Sequence, residues 1–232
     1  MELFYIPDIL HSEAILKGEE LHHITRVLRK GLGDAIHVTD GQGGCYQGVI
    51  VQAGKHEARV RITDHQFAAR TSPRITIATA LTKNMKRMEW AFEKMTELGV
   101  HRVVPLICAR SERLKMNRAR VQKILISAMK QSERLFLPEL TAPQLVKQVM
   151  ASHEGAAGYL ATRSPESVPL GAHYKAGSDV VILIGPEGDF TEEEMESARK
   201  AGWTPVHFGS QRLRTETAAV FAVAAIAALN TV

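Results

Sequence analysis

The stretch "LIGPEGDFTEEE" at residues 183–194 places a glycine-rich turn directly after an apolar run and before a helix start. A second stretch with the same arrangement, "FGSQRLRTETAAVFAVAAI", follows at residues 208–226. Thr191 and Glu194 have the spacing of a capping box, which predicts a helix beginning after Thr191. Taken alone, the first loop is best explained as a turn and cap without a ligand. Two such loops close together predict one ligand held from two sides.

Strand and helix patterns alternate along the chain around these two stretches. Strands are predicted at residues 74–81, 100–109, 155–162, 179–185 and 204–209, and helices at 85–99, 117–135 and 142–152. This alternation is typical of an α/β domain with a mainly parallel sheet and helices on both faces. Ligands of such sheets bind outside the carboxyl ends of the strands, where the two loops lie.

The first 70 residues have a different pattern, with β-branched runs separated by glycine-rich turns. The runs "AIHVTD", "YQGVIV" and "EARVRITD" predict hairpins in a small sheet or barrel. A short helix is predicted over residues 21–30, with Leu21, Ile24 and Leu28 on one face. "AARTSP" at residues 68–73 has the composition of a linker. We therefore predict two domains, at residues 1–70 and 74–232.

Composition narrows the class of protein. The 232 residues are 45% hydrophobic, which is enough to build a sizeable core. The start, "MELFYIPDIL", lacks the basic region of a signal peptide. The longest apolar run, "AAVFAVAAIAAL", is shorter than the roughly 20 residues that cross a bilayer. Cys45 and Cys108 have no CxxC partner and are predicted to be reduced thiols. These features together predict a cytoplasmic protein with no membrane association.

Positive charge is concentrated in the middle of the chain. Residues 71–140 hold 14 Lys/Arg against 6 Asp/Glu, a net charge of +8, whereas residues 1–70 carry −1 and residues 141–232 carry −3. A local basic field attracts polyanions such as nucleic acid. A solvated surface explains the same charges equally well.

Familiar cofactor and metal motifs are missing from the sequence. There is no P-loop, no dinucleotide-binding glycine fingerprint, no H-E-x-x-H, no clustered Cys/His set and no G-x-S-x-G elbow. We therefore predict no metal site. The second loop instead brings the polar run Arg214–Thr217 to the start of an apolar helix, with Thr215 as the predicted N-cap. Removing such polar side chains from water costs free energy, and a polar ligand facing them would compensate that cost.

"LIGPEGDFTEEE" and "FGSQRLRTETAA" closely resemble the RsmE family, the ribosomal RNA small-subunit uridine N3-methyltransferases of the SPOUT superfamily. "HHITRVLRKGLGD", "KRMEWAFEKMTELGVHRVVPLICARS" and "KQSERLFLP" extend the resemblance over nearly the whole chain. Two features depart from the family pattern. Asp189 stands where the family often has glycine, and Ser210, Gln211 and Arg212 replace a more usual proline-containing, less basic stretch.

The resemblance implies a small N-terminal PUA-like β-barrel that binds RNA, followed by a trefoil-knotted α/β methyltransferase domain. It implies S-adenosyl-L-methionine as cofactor, a homodimer, and methylation of N3 of a uridine in 16S ribosomal RNA within an assembled or nearly assembled small subunit. Onto this sequence it places the cofactor-binding residues Leu160, Ala161, Thr162, Ile184, Gly185, Pro186, Glu187, Gly188, Phe208, Gly209, Leu213, Arg214, Thr215, Thr217 and Ala218. The alternatives are another SPOUT RNA methyltransferase, acting on a ribose 2′-hydroxyl or a transfer RNA base, and a non-catalytic RNA-binding protein on the same fold. A nicotinamide-dependent enzyme is a weaker alternative, because the dinucleotide-binding glycine fingerprint is missing.

The chemistry of uracil suggests roles for three side chains. Its N3 becomes nucleophilic when it loses a proton, and the negative charge then spreads to the carbonyl oxygens. A guanidinium would stabilise that charge, so Arg214 is the first candidate, with Arg110 behind it. Glu216 is the predicted base. The competing explanation for Arg214 is a structural ion pair with Glu216 or Glu187. Predicted RNA contacts are His22, His23, Arg26, Arg29, Lys83, Lys86, Arg87, Arg113, Lys115 and Arg118, with Arg110 and Arg120 in the same basic segment.

Overall fold

The computed structural model describes residues 2–10, 12–70, 73–152 and 155–231. The chain divides into two compact units. Unit 1 comprises Met1–Arg70 and Ile126–Leu137, and unit 2 comprises Thr71–Leu125 and Pro138–Val232. The division therefore differs from the predicted domains 1–70 and 74–232 in the segment Ile126–Leu137. Residues 71 and 72 of the predicted linker lie outside the described residues.

Unit 1 contains a six-stranded sheet. Its strands are β1 (Leu3–Tyr5), β2 (Ile9–Leu10), β3 (Glu13–Lys17), β4 (Ala35–Thr39), β5 (Gly44–Ala53) and β6 (Glu57–Phe67), in the order β1-β4-β5-β6-β3-β2. All neighbours are antiparallel except β1 and β4. The strands β4, β5 and β6 cover the three β-branched runs, so the predicted hairpins are confirmed.

The helix predicted at residues 21–30 is two short segments. Helix α1 (Gly18–His22) continues into a π-helical segment, His23–Val27, before Arg29 turns with φ of 57°. Leu21 and Ile24 are buried in the core of unit 1, and Leu28 packs against it, as the predicted apolar face requires. The spacing of apolar residues does not predict the wider π turn. Over so short a segment, an α turn and a π turn place the same apolar residues on one face.

The segment Ile126–Leu137 joins unit 1 through the turn between β4 and β5. It contains the end of helix α3 (Arg118–Gln131) and the residues that follow. The Leu137 amide donates to the carbonyl oxygen of Gly41 over 2.8 Å, and the Gly43 amide donates to that of Leu135 over 2.9 Å. The Lys130 ammonium pairs with the Glu20 carboxylate on α1 at 2.5 Å. These contacts satisfy backbone groups that would otherwise be left without partners, which is why this distant segment packs here.

Unit 2 is built on a parallel sheet with eight strands. They are β7 (Ile75–Ala80), β8 (Arg102–Ile107), β9 (Glu139–Leu140), β10 (Gln144–Leu145), β11 (Ala157–Ala161), β12 (Val168–Pro169), β13 (Val180–Ile184) and β14 (Thr204–His207). The order is β10-β8-β7-β13-β11-β14-β12, with β9 also on β8. Every described pair is parallel. The α/β class predicted from the alternating pattern is confirmed.

Helices complete unit 2. They are α2 (Met85–Leu98), the first part of α3, α4 (Val146–Ala151), α5 (Leu170–His173), α6 (Glu192–Lys200) and α7 (Thr215–Leu229). Helix α2 ends at Gly99, whose φ of 93° is the left-handed cap expected of glycine. Helix α4 is shorter than the predicted 142–152, because residues 144 and 145 pair with β8 instead. Among the described residues, no helix is long and apolar enough to cross a membrane.

The register of the central strands fixes the position of the two loops. All five residues of β13 are buried. Ala161 at the end of β11 lies beside Ile184 of β13 on one side and Val206 of β14 on the other. The carboxyl ends of these three strands therefore meet at one edge of the sheet. The trefoil knot depends on how the chain threads through itself and stays a prediction.

Candidate functional site

A cavity of about 500 Å³ opens at the carboxyl ends of β11, β13 and β14. Both glycine-rich loops contribute to its wall, as the carboxyl-end rule predicts. Its lining residues are Ala161, Thr162, Arg163, Ile184, Gly185, Pro186, Glu187, Asp189, Val206, His207, Phe208, Gly209, Gln211, Arg212, Leu213, Arg214, Thr215 and Ala218.

The first loop is a tight turn leading into helix α6. The Asp189 amide donates to the Pro186 carbonyl oxygen over 3.0 Å, and Asp189 has a φ of 60°. The predicted capping box is confirmed: the Glu194 amide donates to Thr191 Oγ1 over 3.2 Å, and the Thr191 amide donates to Glu194 Oε2 over 2.9 Å. The other oxygen of Glu194 accepts from the Ala109 amide over 2.9 Å. The loop is therefore held from within and from the segment after β8.

Arg110 also braces this loop. Its Nη1 donates to the carbonyl oxygen of Gly188 over 2.7 Å and to that of Phe190 over 3.2 Å. Arg110 does not line the cavity. The geometry thus gives this guanidinium a structural role, whereas the sequence suggested a second catalytic cation. The difference arises because two backbone carbonyl groups of a turn need donors that the sequence pattern does not reveal.

Two arginines hold the second loop. Arg163 Nη2 donates to the Ser210 carbonyl oxygen over 3.1 Å, and Arg212 Nη2 donates to the Glu187 carbonyl oxygen over 2.9 Å. The Arg212 contact joins the two loops directly. Gly209 has a φ of 114°, a conformation that side chains disfavour, and its amide donates to His207 Nδ1 over 3.1 Å. The conformation of the loop after β14 therefore depends on Gly209, and Arg212 connects this loop to the first loop through a hydrogen bond.

The start of helix α7 is also tied to the central strand. Thr215 is buried, and its Oγ1 donates to the Gly185 carbonyl oxygen over 3.0 Å. The prediction that Thr215 is the N-cap is wrong by one residue, since Arg214 has the extended backbone of the cap and Thr215 is the first helical residue. The threonine hydroxyl serves a distant carbonyl group rather than the amides of its own helix.

Glu216 lies outside the cavity wall. It is buried, with 7% of its side chain exposed, and its Oε1 lies 3.7 Å from Nη1 of Arg87 on α2. It does not line the cavity, so the geometry does not support the predicted role as base. Helix periodicity explains this outcome, because adjacent residues of a helix point in different directions.

Arg214 is exposed and lines the cavity. Its guanidinium makes no hydrogen bond or ion pair with any of the described residues. The expected alternative, an ion pair with Glu216 or Glu187, is not what the structure shows, since Glu216 pairs with Arg87. The guanidinium is therefore available to a bound ligand.

Thr162 and Asp189 form a polar pair in the cavity wall. Thr162 is 6% exposed, and its Oγ1 donates to Asp189 Oδ2 over 3.0 Å. Asp189 Oδ1 accepts from the Phe190 amide over 2.8 Å. The carboxylate is thus fixed in one orientation at the wall, through a contact between the residue after β11 and the loop after β13.

Most of the residues assigned to the cofactor from the resemblance meet at this cavity. Twelve of the fifteen line it, and the exceptions are Leu160, which is buried, Gly188 and Thr217. The lining residues that the sequence did not indicate are Arg163, Asp189, Val206, His207, Gln211 and Arg212. Several of these lie at strand ends, so the carboxyl-end rule applied to every strand would have identified them.

Cys108 is a buried free thiol close to the first loop. Burial, with a contribution from the nearby carboxylates of Glu194 and Asp189, raises the pKa of the Cys108 thiol to about 12. The thiol is therefore protonated at neutral pH and is a poor nucleophile. Within the described ranges, no group of three or more His, Cys, Asp or Glu side chains could hold a metal ion. Cys45 and Cys108 are both free.

The basic residues of unit 2 differ in how they are used. Of the six predicted RNA contacts in this unit and Arg120, four have partners: Lys83 with Glu112 at 2.7 Å, Arg87 with Glu216, Arg120 with Glu89 at 2.6 Å, and Arg118 with the Leu140 carbonyl oxygen at 2.6 Å. Hydrogen bonding to Glu112 raises the pKa of Lys83. The side chains of Lys86, Arg113 and Lys115 are exposed and have no hydrogen bond or ion pair among the described residues. Arg113 and Lys115 line a shallow groove with Lys83, Glu112 and Leu114.

The four predicted RNA contacts of unit 1 lie on or next to its short helical segments. His22, Arg26 and Arg29 are exposed, and His23 is half-buried with its ring 5.8 Å from that of Phe4. His23 thus contributes to packing. The side chains of the other three are exposed.

Comparison with known proteins places this arrangement in a family. The model of an RNA methyltransferase domain matches residues 70–227, and that of an RNA methyltransferase PUA domain matches residues 16–63. A ribosomal RNA small subunit methyltransferase E of Synechocystis is 34% identical over 231 residues, which cover 95% of this chain and 75% of that protein.

Two solved structures share the fold over its full extent. A probable rRNA-methyltransferase from Porphyromonas gingivalis has a TM-score of 0.93 and 40% identity, with 99% of this chain and 98% of that chain covered. A ribosomal RNA small subunit methyltransferase E from Neisseria gonorrhoeae, bound to S-adenosyl methionine, has a TM-score of 0.86 and 29% identity, with the same coverage.

These similarities confirm the predicted enzyme class and the predicted pairing of a PUA-like N-terminal unit with an α/β methyltransferase unit. They extend through both loops of the cavity, since the matched region includes residues 183–226. The chain therefore belongs to the ribosomal RNA small subunit methyltransferase E family.

Proposed function

We propose that this protein transfers a methyl group from S-adenosyl-L-methionine to N3 of a uridine in 16S ribosomal RNA. The observation that carries the proposal is the cavity formed by the two loops, in a chain whose relative from Neisseria gonorrhoeae holds S-adenosyl methionine. A volume of about 500 Å³ lies within the usual range of cofactor sites, about 300–1,000 Å³.

The lining fits a ligand that combines an apolar ring system with charged groups. Ile184, Leu213 and Ala218 supply apolar wall for an adenine ring. Gly209 leaves its backbone open, because a Cβ built there would meet nothing within 4 Å. The strand-end and loop residues also place backbone amides and carbonyl groups at the wall, where they can bind a purine edge and ribose hydroxyls.

Arg214 is the group best placed to promote the reaction. When bound, the cofactor supplies an electrophilic methyl group on a positively charged sulfur. The uracil nitrogen reacts only after its proton leaves, and negative charge then develops on the uracil carbonyl oxygens. Arg214 lines the cavity with its guanidinium unpaired among the described residues, so it can donate to those oxygens. Stabilisation of this kind is commonly the largest contribution to catalysis.

The proton acceptor is better sought at Glu187 than at Glu216. Glu216 is buried against Arg87 and does not reach the cavity. The carboxylates that line the cavity are Glu187 and Asp189, and Asp189 already accepts two hydrogen bonds within the protein. Glu187 is exposed, and no side-chain hydrogen bond to it is present in the described part of the chain. It is therefore free to accept the N3 proton.

The RNA must present an unpaired base to the site, because N3 lies on the pairing edge of uracil. An enzyme acting there binds a single-stranded region or extrudes the base, and in both cases needs contacts to the flanking backbone. Lys86, Arg113 and Lys115 of unit 2 supply exposed cations that have no partner in the part of the chain that the structure describes, and His22, Arg26 and Arg29 of unit 1 supply further exposed groups. Electrostatic contacts of this kind give affinity without sequence information.

We also infer a homodimer formed through helix α7. Phe221 and Leu229 on this helix are 43% and 38% exposed, and Trp90 on the neighbouring helix α2 is 46% exposed. The Phe221 ring also lies 5.5 Å from that of Phe208, which lines the cavity. An apolar face beside a cofactor site fits a subunit interface. Light scattering should give about twice the 25.6 kDa chain mass, and Phe221→Glu should give the single-chain mass.

A cytoplasmic location and an assembled small subunit as substrate complete the proposal. Both follow from the class of RNA named for the relatives rather than from a feature of the cavity. Purified protein should be incubated with labelled S-adenosyl-L-methionine and, separately, with naked 16S RNA, small subunits and transfer RNA. Nucleoside mass spectrometry then identifies the product. We expect 3-methyluridine from small subunits; a 2′-O-methyl nucleoside, a methylated transfer RNA or no product at all would contradict the proposal.

A further inference from the structure

Asp189 combines three features within the cavity wall. It has a left-handed backbone, with φ of 60°, which is uncommon for a residue that carries a side chain. It lines the cavity and is half-buried. Its carboxylate is held by the Thr162 hydroxyl at 3.0 Å and the Phe190 amide at 2.8 Å. Glycine would adopt this backbone with less strain, so the turn itself does not call for a charged side chain.

The two hydrogen bonds leave the carboxylate able to act on a ligand. Each oxygen of an ionised carboxylate has two acceptor positions, and each oxygen of Asp189 uses one within the protein. The carboxylate of Asp189 is therefore fixed in orientation, and each of its oxygens can still accept a further hydrogen bond or contact a cation. The other carboxylate of the wall, Glu187, is exposed, so water screens it more strongly. Asp189 is thus the main fixed negative charge in the wall of the cavity.

Methyl transfer changes the charge of the molecule in this cavity. The bond between sulfur and the methyl carbon breaks with its electron pair remaining on sulfur, and the lone pair of the uracil nitrogen forms the new bond to carbon. The nitrogen's proton goes to a base. The sulfur therefore changes from a cationic sulfonium to a neutral thioether, while the remainder of the cofactor keeps its charges.

We propose that the fixed carboxylate of Asp189 makes the cavity prefer the cationic methyl donor over its neutral demethylated product. This inference rests on the proposed function. A negative charge at the wall attracts the sulfonium and has no such attraction for the thioether, and the effect is larger where water is partly excluded. Thr162 is the positioning residue, because its hydroxyl donates to Oδ2 and fixes the orientation of the carboxylate. Asp189 thereby favours exchange of spent cofactor for fresh cofactor between turnovers.

Calorimetry on the full-length protein tests the inference through a ratio of two dissociation constants. The probes are S-adenosyl-L-methionine and S-adenosyl-L-homocysteine, measured at low and high salt. We expect Asp189→Asn, which keeps the shape of the side chain, to reduce the preference for the donor by about tenfold at low salt, and less at high salt. Asp189→Gly should give the same loss of preference. Thr162→Val should give a smaller loss in the same direction.

The controls separate charge from folding. Glu196→Gln removes an exposed carboxylate of α6 that pairs with Arg199, and it should leave the ratio unchanged. A general loss of structure would weaken both probes by the same factor, so it cannot produce the expected change in their ratio. A ratio within twofold of the wild-type value in both Asp189→Asn and Asp189→Gly would overturn the inference. Wild-type protein that binds neither probe would instead overturn the proposed function, and this inference with it.

Discussion

The hydroxyl group of Thr215 donates a hydrogen bond to the carbonyl oxygen of Gly185 over 3.0 Å. This single contact joins the first residue of helix α7 to the residue that follows the central strand β13. It is a second connection between the two loops of the cavity, beside the Arg212 contact to the Glu187 carbonyl group. Both residues are buried, so neither partner can exchange the contact for water.

Thr215→Val should therefore destabilise unit 2 and loosen the cavity together. The substitution leaves a buried carbonyl oxygen without a donor, which costs about 1–3 kcal/mol. In a chain of this size each kcal/mol lowers Tm by about 2–4 °C. Thr215→Ser keeps the hydroxyl and should stay close to wild type in both Tm and cofactor affinity. Equal behaviour of the valine and serine variants in thermal unfolding would show that the hydrogen bond contributes nothing.

Arg214→Ala should lower the rate of methyl transfer far more than the affinity for cofactor. The developing negative charge exists only on the way to the transition state, so losing a group that stabilises it acts mainly on turnover. We expect turnover to fall by about 10² or more in single-turnover experiments. Raising the pH should partly restore the rate, because more of the uridine is then deprotonated in solution.

Arg110→Ala provides the matched comparison for Arg214→Ala. Arg110 holds the Gly188 and Phe190 carbonyl groups, so its loss should lower Tm and cofactor affinity in step with activity. Alkaline pH should not restore that variant. If Arg214→Ala instead loses affinity as much as rate, Arg214 has a structural role and not a catalytic one.

Reversing the charge of Arg113 and Lys115 should weaken RNA binding without changing cofactor affinity. Neither side chain has a partner among the described residues, so both are free to bind phosphates. The slope of log affinity against log salt should fall by about 0.7 for each phosphate of a single strand that is no longer neutralised. Lys147→Glu with Lys175→Glu makes the same change in net charge at other exposed positions of unit 2. Equal weakening in the two double variants would mean that net charge alone matters.

The two cavity glycines should be sensitive to substitution for different reasons. A Cβ at Gly185 would lie 3.0 Å from Cε2 of the buried Phe190 ring, whereas a Cβ at Gly209 meets nothing but the residue has a φ of 114°. Gly209→Ala therefore forces backbone strain of about 1–3 kcal/mol. Combining Gly185→Ala with Phe190→Leu should partly restore the Tm lost in Gly185→Ala. The same Phe190→Leu change should not help Gly209→Ala, and rescue of both would contradict the assignment.

Features with a local cause are predictable from the sequence. The capping box of Thr191 and Glu194, the glycine stop at Gly99 and the strands beside both loops all depend on residues near one another in the chain. The position of the cavity follows from a general property of parallel sheets. Most of the assigned lining residues are correct for that reason and because the resemblance extends through both loops.

Features that depend on distant partners are not predictable in this way. Glu216 is expected from the motif to face the ligand, but its partner Arg87 lies on α2, and only the packing of α7 beside α2 determines which way it points. The braces from Arg110 and Arg212 likewise serve carbonyl groups of a turn distant in sequence. Helix α4 begins late because residues 144 and 145 add to the sheet edge beside β8. Tertiary contacts rather than local preference decide each of these outcomes.

Unit 1 is discontinuous in the chain, and this has a consequence for synthesis on the ribosome. Its sheet is complete by Phe67, but the residues that pair with the turn at Gly41 and Gly43 end at Leu137. The half-buried carboxylate of Glu20 likewise has no ammonium partner until Lys130 has been translated. The nascent N-terminal unit must therefore stay incompletely packed while β7, α2, β8 and most of α3 are translated. A fragment that ends at residue 70 should therefore fold poorly. A nascent chain whose residue 137 has left the ribosome can complete the packing of unit 1 before the two cofactor loops have been translated.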